Sequence, residues 1–498
     1  MRLFEILTLA ALLLMLMCVF APSDKRPRWV SYLPGLAILF VFLHLIFEGY
    51  RWQMVPAYGL TASLFLATVR DFMLREAAPA KPPRLRRLLM IVATVLALLI
   101  LAVAAALPAL FPVFRMPEPS GPHAVGTRYV YYVDEDRLDT YTPEPDDYRE
   151  VSVQVWYPAD LAGGEQPIRY MQKEAATAFA DFLDLPSFLL HHFALVRTHA
   201  YLNAEVAQAG HPFPVITYST SGLMSSHMAL FEELASHGYV VLCIGHPYWN
   251  PFVYGAGGEV LPFDGENEYY KAWWAEENNS VKEAKRQITV AKTTEAQERA
   301  HRWHNELKPI AISDLEKWGE DIGFVLDELE KMNLAGGYLA GRLDLERVGV
   351  MGFSKGGAAA GQFCLTDERC KAGINLTGFM YGDIVEGNLS QPFMFVSEEE
   401  PWCKDCYVNG LFYQRAEGSA YQMKIRGARH TNFGDPSLYG GLLEGFGEGG
   451  TIDGKRMAEI QNVYALAFFD KHLRGMAAPL LDGPSPDYPE VVFRSRQS

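Results

Sequence analysis

Four long apolar stretches fill most of the first 111 residues and constrain the fold more than any other feature. They are Leu3–Phe20, Val30–Ile46, Val55–Val69 and Leu88–Phe111. The last runs for 24 residues without a charge, which is enough for a helix to cross about 30 Å of hydrocarbon. The sequence therefore predicts an all-α transmembrane segment over residues 1–112, followed by a larger soluble part.

Basic residues between these stretches predict how the segment is oriented. One group is Lys25, Arg26 and Arg28, and the other is Arg70, Arg75, Lys81, Arg84, Arg86 and Arg87. Both groups are expected on the cytoplasmic side, which requires the third stretch to span as well. We expect four helices, with the N-terminus and the soluble part on the periplasmic or extracellular side of an inner or plasma membrane. Three spans, or a cleaved signal peptide in place of the first span, are the alternatives, although Glu5 stands where a signal peptide would have a basic region.

The overall charge narrows the choice of partners. The chain has 59 acidic and 44 basic residues, which gives a formal net charge of −15. A protein that binds nucleic acid needs a basic face for the phosphate backbone. We therefore expect no nucleic acid among the partners, and membrane lipids for the apolar segment.

Strand and helix patterns alternate through the soluble part. After a proline-rich linker at 113–124, residues 125–475 show continuously apolar strands such as Phe213–Tyr218 and Tyr239–Ile244, separated by helical patterns. This alternation predicts an α/β fold with a mostly parallel sheet covered on both faces. Residues 247–306 interrupt it and are expected to form an inserted cap, and residues 476–498 are expected to be a tail.

The strongest chemical signal is a G-x-S-x-G motif that follows a buried strand. Gly352-Phe353-Ser354-Lys355-Gly356 comes directly after Arg347–Met351 and runs into a small-residue helix pattern. In this strand–turn–helix context the glycines permit a tight turn that exposes the serine hydroxyl. Ser354 is the candidate nucleophile, and a tight structural turn is the alternative.

A serine hydroxyl needs a base, and its reaction needs hydrogen-bond donors for the developing oxyanion. His430 lies on the loop after the strand pattern Tyr421–Ile425 and before the last helix, which favours it as the base. The backbone N–H groups of Lys355 and Leu223 are the candidate oxyanion donors. The side chain of Lys355 is expected to be solvated or to meet an anionic group of the substrate.

Four of the six cysteines form two close pairs, Cys364/Cys370 and Cys403/Cys406. In an oxidising compartment such pairs predict local disulfides. A zinc site with four cysteine ligands is the rival interpretation, but the first spacing is too long and no histidine cluster accompanies it. We expect no metal.

Several segments of the soluble part resemble the plasma-type platelet-activating-factor acetylhydrolase family over residues 125–475. They are Phe213–Tyr239 with Gly222-Leu223, Gly352–Gly357, Lys371–Leu376, and Arg426-Gly427 with His430–Phe433. The resemblance implies an α/β-hydrolase fold, no cofactor or metal, and a Ser–His–Asp esterase that acts on short or oxidised acyl chains of phospholipids. Polyester and small-ester hydrolases are also similar, so the resemblance does not select a substrate.

The sequence departs from this family at the triad acid. The family's aspartate follows the strand that corresponds to Ala372–Leu376, and this chain has Thr377 there. Threonine carries no charge to stabilise an imidazolium. Three interpretations follow. A carboxylate after the next strand pattern, Pro392–Val396, substitutes for the aspartate, with Glu399 preferred over Glu398 and Glu400; or Asp383 reaches the site; or the protein works as a Ser–His dyad or is degenerate.

Two functions from different classes fit these observations. The first is a membrane-anchored serine esterase, lipase-like, whose substrate is a phospholipid-like or small apolar ester. Aromatic residues of the cap either contact that substrate or pack on the core; they are Tyr248, Trp249, Tyr269, Tyr270, Trp273 and Trp274. The second is a catalytically reduced hydrolase fold that serves as a membrane-tethered binding or sensor module, which Thr377 favours.

Overall fold

A computed structural model of the protein describes residues 1–19, 27–73, 84–142, 144–399, 409–440 and 449–497. Its helices are α1 (Leu3–Val19), α2 (Leu33–Leu43), α3 (Val55–Met73), α4 (Arg84–Leu110), α5 (Lys173–Phe182), α6 (Met228–Ser236), α7 (Glu268–Ala275), α8 (Asn279–Val290), α9 (Thr294–Glu306), α10 (Pro309–Ala335), α11 (Lys355–Thr366), α12 (Gly410–Arg415) and α13 (Gly454–Arg474).

The strands follow the same chain order. They are β1 (Ala124–Leu138), β2 (Tyr148–Asp160), β3 (Pro167–Arg169), β4 (Arg197–Leu202), β5 (Glu205–Val206), β6 (Phe213–Thr220), β7 (Val240–Gly245), β8 (Phe252–Tyr254), β9 (Val260–Pro262), β10 (Leu343–Phe353), β11 (Cys370–Leu376), β12 (Phe393–Glu398), β13 (Ala420–Ile425) and β14 (Val491–Arg496).

Helices α1 to α4 cover the four apolar stretches. Within the described ranges, two helical segments are long and apolar enough to cross a membrane, Trp29–Glu48 and Leu88–Leu110. A buried ion pair joins Glu5 of α1 to Arg51, which precedes α3, at 3.1 Å. Arg51 also donates to the carbonyl oxygen of Phe111, just after α4, at 2.5 Å. These contacts bring the start of α1 and the end of α4 together at one end of the four helices.

The soluble part is organised around one large, mostly parallel sheet. Among the described residues, its strands run in the order β14-β13-β12-β11-β10-β6-β7-β2-β1-β4-β3. Neighbours from β13 to β7 are parallel, while β14, β2 and β1 pair antiparallel at the two sides. Helices α6 and α13 pack on one face, and α10 and α11 pack on the other. This architecture confirms the predicted α/β fold class.

The segments outside the central alternation have a definite structure. Residues 247–306 lie between β7 and α10 and hold the β8–β9 hairpin with α7, α8 and α9. The segment expected to be a tail, 476–498, instead supplies β14, the edge strand next to β13. Apolar residues at alternate positions, Val491 and Phe493, are buried there, because a strand that pairs on an edge still covers one face of the core.

The first cysteine pair forms a disulfide, Cys364–Cys370, which links the last part of α11 to the start of β11. Cys243 is buried in β7. The second predicted pair, Cys403 and Cys406, lies outside the described residues.

Burial keeps six histidines of the soluble part uncharged. It lowers their pKa to about 3 for His192, His227 and His304 and to about 4 for His246, His301 and His472. An unfolded chain takes up a proton on each of them near pH 6.5, whereas the folded chain does not. The stability that these groups contribute is therefore present above pH 6.5 and is lost as the pH falls toward about 4 for His246, His301 and His472 and toward about 3 for the other three.

We predict that replacing one of these histidines reduces the loss of unfolding free energy at acidic pH. His301 packs against the rings of Phe379 and Phe412. His301→Phe therefore keeps an aromatic ring in this space and removes one titratable group. From pH 7 to pH 5 the variant should lose about 2 kcal/mol less of unfolding free energy than the wild type. Denaturant unfolding of the full chain in detergent measures this, with exposed His211→Gln as the control. Equal losses in wild type and His301→Phe would contradict the prediction.

Candidate active site

Ser354 occupies a strained turn between β10 and α11. Its backbone has φ +56° and ψ −124°, and α11 begins at the next residue. A non-glycine residue with positive φ is uncommon, and such strain is concentrated at functional sites. The backbone N–H of Ser354 donates to the carbonyl oxygen of Leu376 at the end of β11. The turn therefore presents the serine at the carboxyl edge of the parallel sheet, as the motif predicted.

Close backbone contacts explain why glycines flank the serine. A Cβ at Gly352 would lie 2.1 Å from the carbonyl oxygen of Gly356. A Cβ at Gly356 would lie 1.9 Å from the carbonyl oxygen of Ser219, the next-to-last residue of β6. Neither carbonyl can move without breaking the turn or the strand. The two glycines thus allow the first turn of α11 to press against the end of β6.

His430 lies beside this turn. It begins a short 3₁₀ helix, His430–Asn432, after β13. Its ring stacks on that of Phe353, the residue before Ser354, with centroids 4.7 Å apart and planes inclined by 28°. The loop that follows is tied to α6, because the buried carboxylate of Asp435 accepts from the N–H groups of Met228 and Ala229.

Two side chains face Nδ1 of His430. Oγ1 of Thr377 lies 2.9 Å from it, and Oε2 of Glu398 lies 3.4 Å from it. Within the described residues this glutamate oxygen is buried and has no hydrogen-bond partner. Glu398 is the last residue of β12, and Thr377 directly follows β11. The structure thus brings a carboxylate to the histidine in addition to the threonine at the family's acid position.

The other candidate acids have different surroundings. Oε2 of Glu399, the residue preferred from the sequence, accepts from the N–H of Gly427 at 2.8 Å. This contact supports the loop that leads to His430 without placing the carboxylate on the ring. Asp383 accepts from Nε2 of Gln362 on α11. Glu400 lies outside the described residues.

The loop after β6 carries the candidate oxyanion donor Leu223. Leu223 is buried, and its carbonyl oxygen accepts from the N–H and the hydroxyl of Ser226. Nδ2 of Asn250 donates to the carbonyl oxygens of Thr220 at 2.8 Å and Gly222 at 2.5 Å. The sequence gives no signal for Asn250, since no motif marks an asparagine that lies 28 and 30 residues along the chain from the two carbonyl groups it contacts.

The side chain of Lys355 is neither solvated nor exposed to a substrate anion, contrary to expectation. It is buried and forms an ion pair with Asp314 of α10. Its Nζ lies 3.3 Å from the ring centroid of Trp249 and 4.5 Å from that of Trp318. Burial lowers the pKa of this ammonium to about 8, while the charge of Asp314 opposes that shift. The aromatic cap residue Trp249 is thus a packing partner of the core, whereas Trp274 is half exposed.

The sequence gives no signal for His227 either, although this residue lies close to the candidate site. It is buried, with Nδ1 2.7 Å from the hydroxyl of Tyr218 and a ring 5.1 Å from that of Phe353. Its low pKa, caused first by burial and then by the charge of His430, keeps it neutral. It therefore adds no positive charge beside the candidate base.

The sheet order and the strained serine at the β10–α11 turn define an α/β-hydrolase. A family model described as "Platelet-activating factor acetylhydrolase, isoform II" matches residues 109–477, and the chain belongs to this family. A guinea pig (Cavia porcellus) platelet-activating factor acetylhydrolase is 26% identical over 72% of this chain and 78% of its own length.

Two further relatives extend the comparison. A probable 1-alkyl-2-acetylglycerophosphocholine esterase of Arthroderma benhamiae is 25% identical over 57% of this chain and 66% of its own length. The structure of a ferulic acid esterase from Streptomyces cinnamoneus has 25% sequence identity and a TM-score of 0.58, and the match covers 77% of this chain and 99% of that one. The protein is a carboxylic ester hydrolase, as predicted.

We predict that the close approach of α11 to β6 is essential for activity. Gly356→Ala should lower ester turnover at least about tenfold, because its Cβ meets the backbone of Ser219 and displaces the turn. Gly361→Ala on the same helix is the matched control, since its Cβ meets the flexible end of Met380. Turnover of p-nitrophenyl butyrate by both variants tests this. Similar turnover by the two would contradict it.

Proposed function

We propose that the protein is a membrane-anchored serine hydrolase that cleaves lipid-like or small apolar esters through an acyl-enzyme. Oγ of Ser354 attacks the ester carbonyl carbon, and its proton passes to Nε2 of His430. The same proton then goes to the leaving alcohol as the tetrahedral intermediate collapses. Water, activated by His430, cleaves the acyl-enzyme and releases the carboxylic acid. The strained Ser354 turn, with His430 stacked on its neighbour Phe353, carries this proposal.

Glu398 is our candidate for the triad acid. Its free, buried Oε2 lies 3.4 Å from Nδ1 of His430. A carboxylate in this place selects the tautomer that carries a proton on Nδ1 and stabilises the imidazolium. The hydroxyl of Thr377, 2.9 Å from the same nitrogen, orients the ring from a second side.

The backbone N–H groups of Leu223 and Lys355 are our candidates for stabilising the oxyanion. Lys355 is the first residue of α11, where the positive end of the helix dipole adds to the donor. The contact of Gly356 with the end of β6 keeps the two donor segments next to each other. Such preorganised donors commonly account for about 10²–10³-fold each in turnover.

The N-terminal helices support the anchoring part of the proposal. Trp29–Glu48 and Leu88–Leu110 suit a membrane in length and composition, and exposed leucines and valines cover much of α4. The bundle also contacts the hydrolase domain, since Nε1 of Trp52 donates to the carbonyl oxygen of Leu189. We propose that the domain works at the membrane surface, on the periplasmic or extracellular side. The names of the relatives favour short-acyl phospholipid-like esters as substrates.

Thr377 is the observation that favours the second candidate function, a tethered binding module with little or no catalysis. A threonine in place of the family's aspartate removes a charge from the Ser–His pair. Changing Ser354 tests this alternative directly.

We expect Ser354→Ala to abolish hydrolysis. The variant removes the attacking oxygen and leaves the fold intact, since alanine fits wherever serine does. Turnover of p-nitrophenyl acetate and butyrate by the purified full chain, with labelling by a fluorophosphonate probe, measures the effect. If wild-type turnover is no higher than that of Ser354→Ala, the esterase hypothesis is contradicted and the binding module remains as the candidate function.

The neighbouring residues Glu398 and Glu399 provide a matched pair of variants that test which carboxylate serves as the triad acid. Glu398→Gln should lower kcat at least about tenfold and up to about 10⁴-fold, because the imidazolium loses its counter-charge. Glu399→Gln should stay close to wild type, since an amide oxygen can still accept from Gly427.

A rescue variant completes this experiment. In the Glu398→Gln background, Thr377→Asp should recover activity by placing a carboxylate at the family position. An unchanged kcat in Glu398→Gln would contradict the assignment of Glu398.

A further inference from the structure

The buried ammonium of Lys355 lies in a box of indole rings contributed by the turn after β7, by α7 and by α10. Its Nζ is 3.3 Å from the ring centroid of Trp249, 4.5 Å from that of Trp318 and 5.5 Å from that of Trp273. The carboxylate of Asp314 neutralises the charge. Ester hydrolysis needs only the backbone of this residue, so the chemistry alone gives no reason to bury a charged side chain here, and burial of a charge is costly.

The box is held together by contacts of its own. Trp249 packs edge-on against Trp273 and Trp318, with centroid distances of 5.1 and 6.3 Å. Asp314 accepts from the hydroxyl of Tyr141 at 2.5 Å. The box is therefore a firm attachment for Lys355 and, through its side chain, for the first residue of α11.

The residue after Trp249 contacts the loop that carries the other candidate oxyanion donor. Asn250 donates to the carbonyl oxygens of Thr220 and Gly222 in the loop that carries Leu223. Its remaining side-chain atom, Oδ1, accepts from the N–H of His246 at 2.6 Å. One dipeptide, Trp249-Asn250, thus contacts both segments that supply oxyanion donors.

The turn that carries this dipeptide is itself fixed. Tyr248 has a positive φ of 70°, and the N–H groups of Trp249 and Asn250 both donate to the carbonyl oxygen of His246. His246 stacks on Trp318 with centroids 3.8 Å apart, and its Nδ1 lies 2.8 Å from Asp321. The turn is therefore anchored to α10, which also carries Asp314.

We propose that Lys355 and Asn250 are positioning residues that act through the Trp249-Asn250 turn to set the spacing of the two oxyanion donors. The side chain of Lys355 ties the first residue of α11 to Trp249 and Asp314, and Asn250 ties the loop of Leu223 to the same turn. This inference rests on the proposed serine hydrolase function. It assigns a catalytic purpose to a buried charge and a buried amide that the reaction itself does not use.

The expected effect follows from how sharply oxyanion stabilisation depends on distance. Donors act only when they lie about 2.7–3.1 Å from the developing oxyanion. A displacement of about 1 Å in such a site can cost about 10²-fold in rate. Loosening either attachment should therefore lower kcat while ground-state binding, and with it KM, changes little.

Two variants separate the attachments. Lys355→Met with Asp314→Asn removes both partners of the ion pair together, so that no unpaired charge stays buried. Asn250→Asp keeps the shape of the side chain but replaces the donor to Thr220 and Gly222 with an oxygen. Lys317→Met is the matched control, because Lys317 is a neighbouring cation that lies over the rings of Tyr141 and Tyr269.

Kinetics of the full chain in detergent with p-nitrophenyl butyrate test the proposal, with active sites counted by a fluorophosphonate probe. Each of the two variants should lower kcat per active site about 10- to 100-fold and leave KM within about twofold. The inhibition constant of an alkyl trifluoromethyl ketone, whose serine adduct carries the oxyanion, should rise by a similar factor. A purely structural role would reduce the number of active sites and would not change this constant. Lys317→Met should retain the wild-type kcat.

The outcomes distinguish this inference from the proposed function. Suppose that wild-type turnover exceeds that of Ser354→Ala but both positioning variants keep the wild-type kcat and inhibition constant. The positioning inference is then wrong, while the proposed esterase function is retained. If wild-type turnover does not exceed that of Ser354→Ala, the proposed esterase function is itself contradicted. Should the Lys355 and Asp314 variant fail to fold, Asn250→Asp decides the question alone.

Discussion

The contact between the first turn of α11 and the end of β6 is the constraint on which the candidate site depends. The carbonyl oxygen of Ser219 occupies the place that a Cβ of Gly356 would take. Only this close approach lets the chain turn through the strained Ser354 while keeping the adjacent parallel strands in register. The strain is tolerated because large hydrophobic clusters on both faces hold the sheet and its helices in place.

The site is assembled from the carboxyl ends of neighbouring strands. Ser354 follows β10, Thr377 follows β11, Glu398 ends β12, and His430 comes after β13. Parallel strands carry their carboxyl ends to the same edge, so residues far apart in the chain meet there without long connecting segments. The buried charges of Lys355 and Asp314 lie where α10 covers the sheet, and Lys355 links the Ser354 turn to segment 247–306 through Trp249 and Trp273.

The choice of the candidate acid shows how a small change in a strand boundary changes a proposed assignment. The sequence pattern ended the strand at Val396, whereas β12 continues to Glu398. Alternate residues of a strand point to the same face, so Glu398 shares the side of Val396, and the next residue points away toward Gly427. Because β12 is two residues longer than its apolar pattern indicates, the candidate acid changes from Glu399 to Glu398. No local pattern in Ser397–Glu400 predicts this extension of the strand.

The sequence alone determined the α/β class, the turn at Ser354, the loop of His430, the Cys364–Cys370 pair and the apolar N-terminal helices. Each follows from local information: periodicity, glycines at fixed offsets, or short spacing along the chain. Only the tertiary structure decided the partner of His430, the edge strand β14, and the burial of Lys355 among the indoles. These depend on contacts between segments tens to hundreds of residues apart, whose free energies come from packing and desolvation in a folded core and leave no periodic trace in the sequence.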